Sequence, residues 1–176
     1  MGPMITGMFN DRAKAERAVE DLHRLGYSQN DISVMIQDET IHKQFATKNV
    51  GNKAGEGLGT GATIGGILGA IIAGLTATGS IIAIATTGGA ATPLVAGPLA
   101  AALAGLGVGA AGGGIIGALV GAGIPEEKAR AYEQGLQRGG ILVGVYADST
   151  RTNQVRDIFE RDGAVDIQGN FAGAIQ

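Results

Sequence analysis

Apolar positions recur at strand and helix spacings in the outer parts of this chain and run almost without interruption through its middle. Met4 to Phe9 reads as a short apolar strand, after which Ala15, Ala18, Val19, Leu22 and Leu25 fall on one face of a helix. Near the end the order repeats. A strand from Ile141 to Tyr146 precedes a helix whose apolar face carries Val155, Ile158 and Phe159. Setting MFNDRAKAERAVEDLHRLG (8–26) against VYADSTRTNQVRDIFERDG (145–163) needs no gap, and it pairs Phe9 with Tyr146, Asp11 with Asp148, Leu22 with Phe159 and Gly26 with Gly163. Asn10 or Asp11 is the expected cap of the first helix and Asp148 or Ser149 that of the second, because a short side-chain oxygen there accepts orphan first-turn amides. Gly26 and Gly163 are the expected helix stops, since glycine enters the left-handed cap conformation at little cost. A second strand closes each copy, DISVMI from Asp31 and AVDI from Ala164.

Two such units with no nucleotide fingerprint predict an α+β fold, a ferredoxin-like split βαβ head with its helices on one face of a four-stranded sheet. A further helix, PEEKARAYEQGLQ, opens with Pro125 in its first turn and acids where the helix dipole favours them, and leads into the third strand.

The middle of the chain interrupts this head. Between Glu56 and Glu126 there is no charged and no aromatic residue, and twenty of the thirty-two glycines lie there. The pattern predicts two apolar helices, Gly57 to about Thr86 and Pro98 to Gly123, separated by the breakers Gly88, Gly89 and Pro93. Each would be roughly 40 Å long, more than the hydrocarbon layer of about 30 Å. Glycine recurs every fourth residue at Gly57, Gly61, Gly65 and Gly69, and again at Gly105, Gly109, Gly113, Gly117 and Gly121. Each interior glycine costs a helix about 1 kcal/mol relative to alanine, so such a series implies smooth grooves in which backbones approach closely. Leu68 and its neighbouring isoleucines are expected around that seam or against lipid, and Ala118, on a different face from Gly113, at a lipid-facing or loosely packed position. The expected division is therefore residues 1–50 as the first half of the head, 51–124 as a glycine-zipper antiparallel helical hairpin, and 125–176 as connecting helix and second half. The head is expected to fold without the hairpin.

The long uncharged run and its small residues favour a bilayer, whereas the missing interfacial Tyr and Trp, and the weak hydrophobicity of Ala and Gly, oppose it. Lys43, Lys48 and Lys53 before the hairpin and Lys128 and Arg130 after it place its flanks on the cytoplasmic side of the membrane. The competing picture is a cytoplasmic soluble oligomer whose hairpins bury one another.

Candidate chemistry is sparse. Absence of cysteine excludes disulfides, thiolate metal sites and a thiol nucleophile. A net charge of −3 without a basic cluster argues against a nucleic-acid partner. The first residues lack a basic start followed by an apolar stretch, so no signal peptide is expected. GVGAAG (107–112), with Glu126 or Glu127 downstream, matches G-x-G-x-x-G, but a dinucleotide site needs that pattern between a buried strand and a helix. His23 is expected to be solvated beside Asp21 and Arg24, and His42 to lie in a polar loop. Glu126 and Glu127 read as first-turn acids, and the Lys43, Lys48 and Lys53 series as a solvated linker, with anionic lipid headgroups as the alternative. No catalytic, cofactor or metal residue is assigned; the zipper glycines are the candidate assembly residues.

GIPEEKARAYEQGLQRGGILVGV (123–145), together with GMFNDRAKAERAVEDLHRLGYSQNDISVM (7–35), resembles the bacterial general stress proteins with a heat-induced or 17M-like domain, in versions carrying a glycine-zipper insert. The resemblance implies a stress-associated protein without enzyme activity that protects the envelope by structural means. The expected function is membrane association, homo-oligomeric assembly, or both, driven by the hairpin. The alternative is a soluble oligomeric regulatory module that binds a small ligand between paired heads.

Overall fold

The computed structural model describes residues 4–37, 40, 68, 81–83, 93–105 and 114–169. Along these run β1 (Met4–Phe9), α1 (Arg12–Arg24), β2 (Ile32–Gln37), β3 (Ile81–Ala83), β4 (Pro93–Ala96) and α2 (Pro98–Gly105). Then follow α3 (Gly114–Gly121), α4 (Glu126–Gln137), β5 (Ile141–Tyr146), α5 (Thr152–Arg161) and β6 (Val165–Gln168). The strands form one six-stranded sheet in the order β3-β4-β2-β5-β1-β6, every neighbouring pair antiparallel.

The two sequence repeats interlock at the centre. β1 and β2 both run antiparallel to β5, which lies between them, and β1 likewise lies between β5 and β6. Neither repeat can complete its sheet without the first strand of the other. The first expected cap forms, the Asp11 carboxylate accepting the amides of Ala13 at 2.7 Å and Lys14 at 3.3 Å, whereas α5 has Arg151 at its N-cap position and no side-chain cap bond. Asp148 accepts the amides of Thr150 at 3.1 Å and Arg151 at 3.0 Å, closing the turn that leads into α5. Gly26 and Gly163, at φ +99° and +81°, end α1 and α5. The next residues, Tyr27 and Ala164, bond back to the carbonyls of Leu22 and Phe159, as a glycine-terminated helix end requires.

The sheet is covered on both faces, where helices on one face were expected. Ile5 and Phe9 of β1, Ile32, Val34 and Ile36 of β2, and Ile141, Val143 and Val145 of β5 pack on α1 and α5. The alternate residues Met8, Met35 and Leu142 belong to a second core with α2, α3 and α4, including Leu99, Ile115, Leu119 and Tyr132. Continuous burial along β1, β2 and β5 follows from this double cover.

The apolar middle therefore contributes strands and core to the head. Ile81–Ala83, expected within the first long helix, form edge strand β3; β-branched Ile81 and Ile82 suit a pleated ladder better than a helix. Leu68, expected at a helical seam or in lipid, is helical and buried against the first-face core. Residues 93–96, expected in the breaker loop, pair with β2 from Val34↔Ala96 to Gln37↔Pro93, with Pro93 at the strand start, where a missing amide is tolerated. Gly97, at φ +87°, then turns the chain against β2: an added Cβ would lie 2.2 Å from the Ile32 carbonyl oxygen. Just beyond it, the Ser33 hydroxyl accepts the Leu99 amide at 3.0 Å, so a strand side chain caps α2 from 66 residues away. In place of a single helix from Pro98 to Gly123, the described residues form α2 and α3 separately, and Gly114 at the start of α3 has φ +55°, outside the right-handed helical region.

Joining Lys53 directly to Pro125 removes β4 and the buried Val95, Leu99, Ala100, Ile115, Ala118 and Leu119. Met35 and Leu142, fully buried at present, lose much of their cover, at about 1.5–3 kcal/mol each. The shortened chain should lose its cooperative denaturant transition, measured by circular dichroism. A second expectation comes from the repeat. Asp162 stands where the first copy has Leu25, and its Oδ2 is buried without a hydrogen-bond partner among the described residues. Asp162→Leu should raise stability by about 1 kcal/mol, read as a higher urea midpoint with an unchanged slope.

Candidate functional site

α3 and α4 pack together across a tight turn. Gly123, at φ +89°, donates to the Val120 carbonyl at 2.9 Å, and Ile124 to that of Leu119 at 3.0 Å, which satisfies the last carbonyls of α3. One side of α3 buries Ile115, Ala118 and Leu119 in the second-face core. Ala118 is therefore tightly packed, contrary to expectation, because it faces the sheet side of the helix. The other side presents Gly117, Val120 and Gly121, with Ile116 half-buried against the core; Val120 is 42% exposed, and no residue of α3 is charged.

The candidate zipper glycines divide accordingly. Gly105 ends α2, Gly117 is half-buried and Gly121 exposed on the outward side of α3. Gly57, Gly61, Gly65, Gly69, Gly109 and Gly113 lie outside the described residues, as do His42, Lys43, Lys48, Lys53 and the 107–112 pattern. His23 is half-buried, and its Nδ1 lies 2.8 Å from the Tyr27 carbonyl oxygen, so it belongs to the α1 terminus. Among the described residues no helix is long and apolar enough to cross a membrane, and no group of three or more His, Cys, Asp or Glu is placed to hold a metal ion.

Tyr132, which carried no role in the sequence reading, is the polar anchor of α4. Its ring is fully buried and its hydroxyl donates to the Asp166 carbonyl. With that proton committed, Thr6 Oγ1, 3.0 Å away, donates to the tyrosine oxygen. Lys128 pairs with the Asp166 carboxylate at 3.5 Å, so α4 grips the edge strand twice at a residue with φ +52°. Burial raises the Tyr132 pKa well above its ordinary value, against the lowering effect of the Thr6 hydrogen bond. Gly135, one helical turn on, lets α4 settle on Met8: an added Cβ would meet its side chain at 2.9 Å. PEE-x-A-x-x-YE-x-G-x-x-RGG, the stretch carrying the family resemblance, thus places Ala129, Tyr132 and Gly135 on the buried side of α4. A periodic apolar face was legible there, but the partner of the hydroxyl was not.

A second tyrosine marks the opposite face. Tyr27 is buried with its hydroxyl unpartnered among the described residues, and the Arg151 guanidinium lies 5.7 Å from its ring centre. Burial, followed by the Asp148 carboxylate, raises its pKa.

Comparison with protein families, characterised proteins and solved structures finds no match to this chain.

Tyr132→Phe leaves Thr6 and the Asp166 carbonyl without their partner and should cost about 1–3 kcal/mol in chemical denaturation. The alkaline limb provides a sharper check. Because the folded pKa is raised, the unfolded chain loses this proton first. The contribution is therefore present below about pH 10 and declines above it, by up to about 1.4 kcal/mol per pH unit. The stability difference between parent and Tyr132→Phe should narrow from pH 9 to pH 11.

Proposed function

We propose that this chain is a non-enzymatic assembly protein of the bacterial stress response: a ferredoxin-like head whose copies associate through the uncharged outward side of α3. The observation that carries the reading is Val120, 42% exposed between Gly117 and Gly121 on a helix without a charge. Small residues beside an exposed aliphatic let a second helix come close, and mutual cover removes Val120 from water. The interlocked order β2-β5-β1-β6, with α1 and α5 on one face, supports a ferredoxin-like description of the central four strands. The stress assignment rests on the resemblance carried by residues 7–35 and 123–145.

The same uncharged surface suits a lipid bilayer, on the cytoplasmic side of the inner membrane. Self-association is favoured because β4, α2 and α3 already spend their inner sides on the sheet, so this half of the apolar segment is not free to leave as a hairpin. The reading involves neither cofactor nor nucleic acid.

Val120→Glu places a carboxylate on the proposed contact without touching the core. By sedimentation velocity the parent should form concentration-dependent oligomers, and the variant should associate at least tenfold more weakly, with the same thermal transition. A monomeric parent, or an unchanged distribution in the variant, overturns the proposal. Flotation of the parent with phosphatidylethanolamine–phosphatidylglycerol vesicles, but no self-association without them, would shift the assignment to the bilayer.

A further inference from the structure

One end of the sheet carries a cleft of about 370 Å³, where β1 begins and β5 and β6 finish. Its lining includes Met4, Ala122, Gly123, Ile124, Tyr146 and Gln168. The fold leaves this space for identifiable reasons. Met4 and Tyr146 are register partners on β1 and β5, and the Met4 side chain lies across Gly144, which has no side chain to displace it. The turn from α3 to α4 passes over these strand ends, and nothing lies within 4 Å of the position a Cβ on Gly123 would take. Gln168, at the end of β6, pairs with Thr6 and closes the remaining side.

The chemistry of the lining is selective. Met4, Ala122 and Ile124 supply apolar surface, and a thioether makes favourable contact with the edge of an aromatic ring. Tyr146 adds a ring for offset stacking. Neither the Tyr146 hydroxyl nor the Gln168 carboxamide is engaged by another described residue, and a carboxamide both donates and accepts. Among the described residues no Asp, Glu, Lys or Arg lines the space. Of the charged groups near it in sequence, Asp166 is paired with Lys128 at 3.5 Å and Glu126 with Arg130 at 2.6 Å. An anion or cation entering here finds no counter-charge to offset its lost hydration.

We propose that this cleft binds a small uncharged planar molecule bearing a hydroxyl or N–H group, its ring packed against Met4 and Tyr146 and its polar group held by Gln168. A cleft of this size, lined by apolar side chains together with a hydroxyl and a carboxamide, falls in the range of small-molecule sites. The proposal is independent of assembly through α3, which uses the outward side of a different element.

Indole is a suitable probe, being planar and neutral with one N–H, and saturation-transfer NMR reads its binding to the full chain at any assembly size. Indole should saturate the parent with a Kd of about 1 mM or tighter. Gln168→Leu, which keeps the volume and removes both hydrogen-bonding groups, should weaken it at least fivefold. Tyr146→Ala should weaken it at least tenfold, and Val120→Glu should leave it unchanged. Circular dichroism melts confirm that each variant is folded. Failure of indole to saturate by 10 mM, or equal affinity in the parent, Gln168→Leu and Tyr146→Ala, overturns the site. Tighter binding of indole-3-acetate than of indole overturns the requirement for an uncharged ligand.

Discussion

The central pair β1 and β5 is apolar on both sides, and the rest of the architecture answers that constraint. Ile5 and Phe9 face one way and Met8 the other; Ile141, Val143 and Val145 face one way and Leu142 the other. A sheet covered only by α1 and α5 would leave Met8, Met35 and Leu142 in water, at about 1.5–3 kcal/mol each. Against a typical net stability of 5–15 kcal/mol, that penalty rivals the whole margin. A second helical layer is therefore a condition of folding, and α4 together with the latter half of the glycine-rich segment supplies it.

Two polar anchors fix that layer in register. At one side of the sheet, the Ser33 hydroxyl receives the Leu99 amide and Gly97 lies against the β2 backbone. At the other, the Tyr132 hydroxyl joins Thr6 of β1 to the Asp166 carbonyl of β6. Hydrophobic burial is non-directional and would tolerate sliding of the layer; these bonds do not. They also explain why the polar Thr6 and Ser33 stay buried on the second face.

The outward sides of the helices differ in a way that bears on function. α1, α4 and α5 carry ion pairs one turn apart, Arg12 with Glu16 half-buried, and Arg130 with Glu126 and Arg156 with Glu160 at the surface. Such pairs add little stability but keep a helix face hydrated. α3 has none. Its inner side is committed to the core, and the association proposed above uses its outer side, which carries Gly117, Val120 and Gly121.

What the sequence determined by itself was local. The repeat of residues 8–26 and 145–163, the buried faces of α1 and α5, the Asp11 cap and the glycine stops all follow from side-chain spacing and backbone preference within a few residues. The placement of the apolar middle was decided by tertiary structure. Ile81–Ala83 and Pro93–Ala96 lie in a run that hydropathy alone assigns to long helices and a breaker, because a short apolar stretch satisfies its backbone equally well in a helix or beside a strand. Only the exposed edge of β2, and a second sheet face in need of cover, select the ladder. Tyr132 shows the same limit at the scale of one atom. Its position on an apolar helical face was readable, but the partners of its hydroxyl, Thr6 and Asp166, lie 126 and 34 residues away and become neighbours only when the strands close.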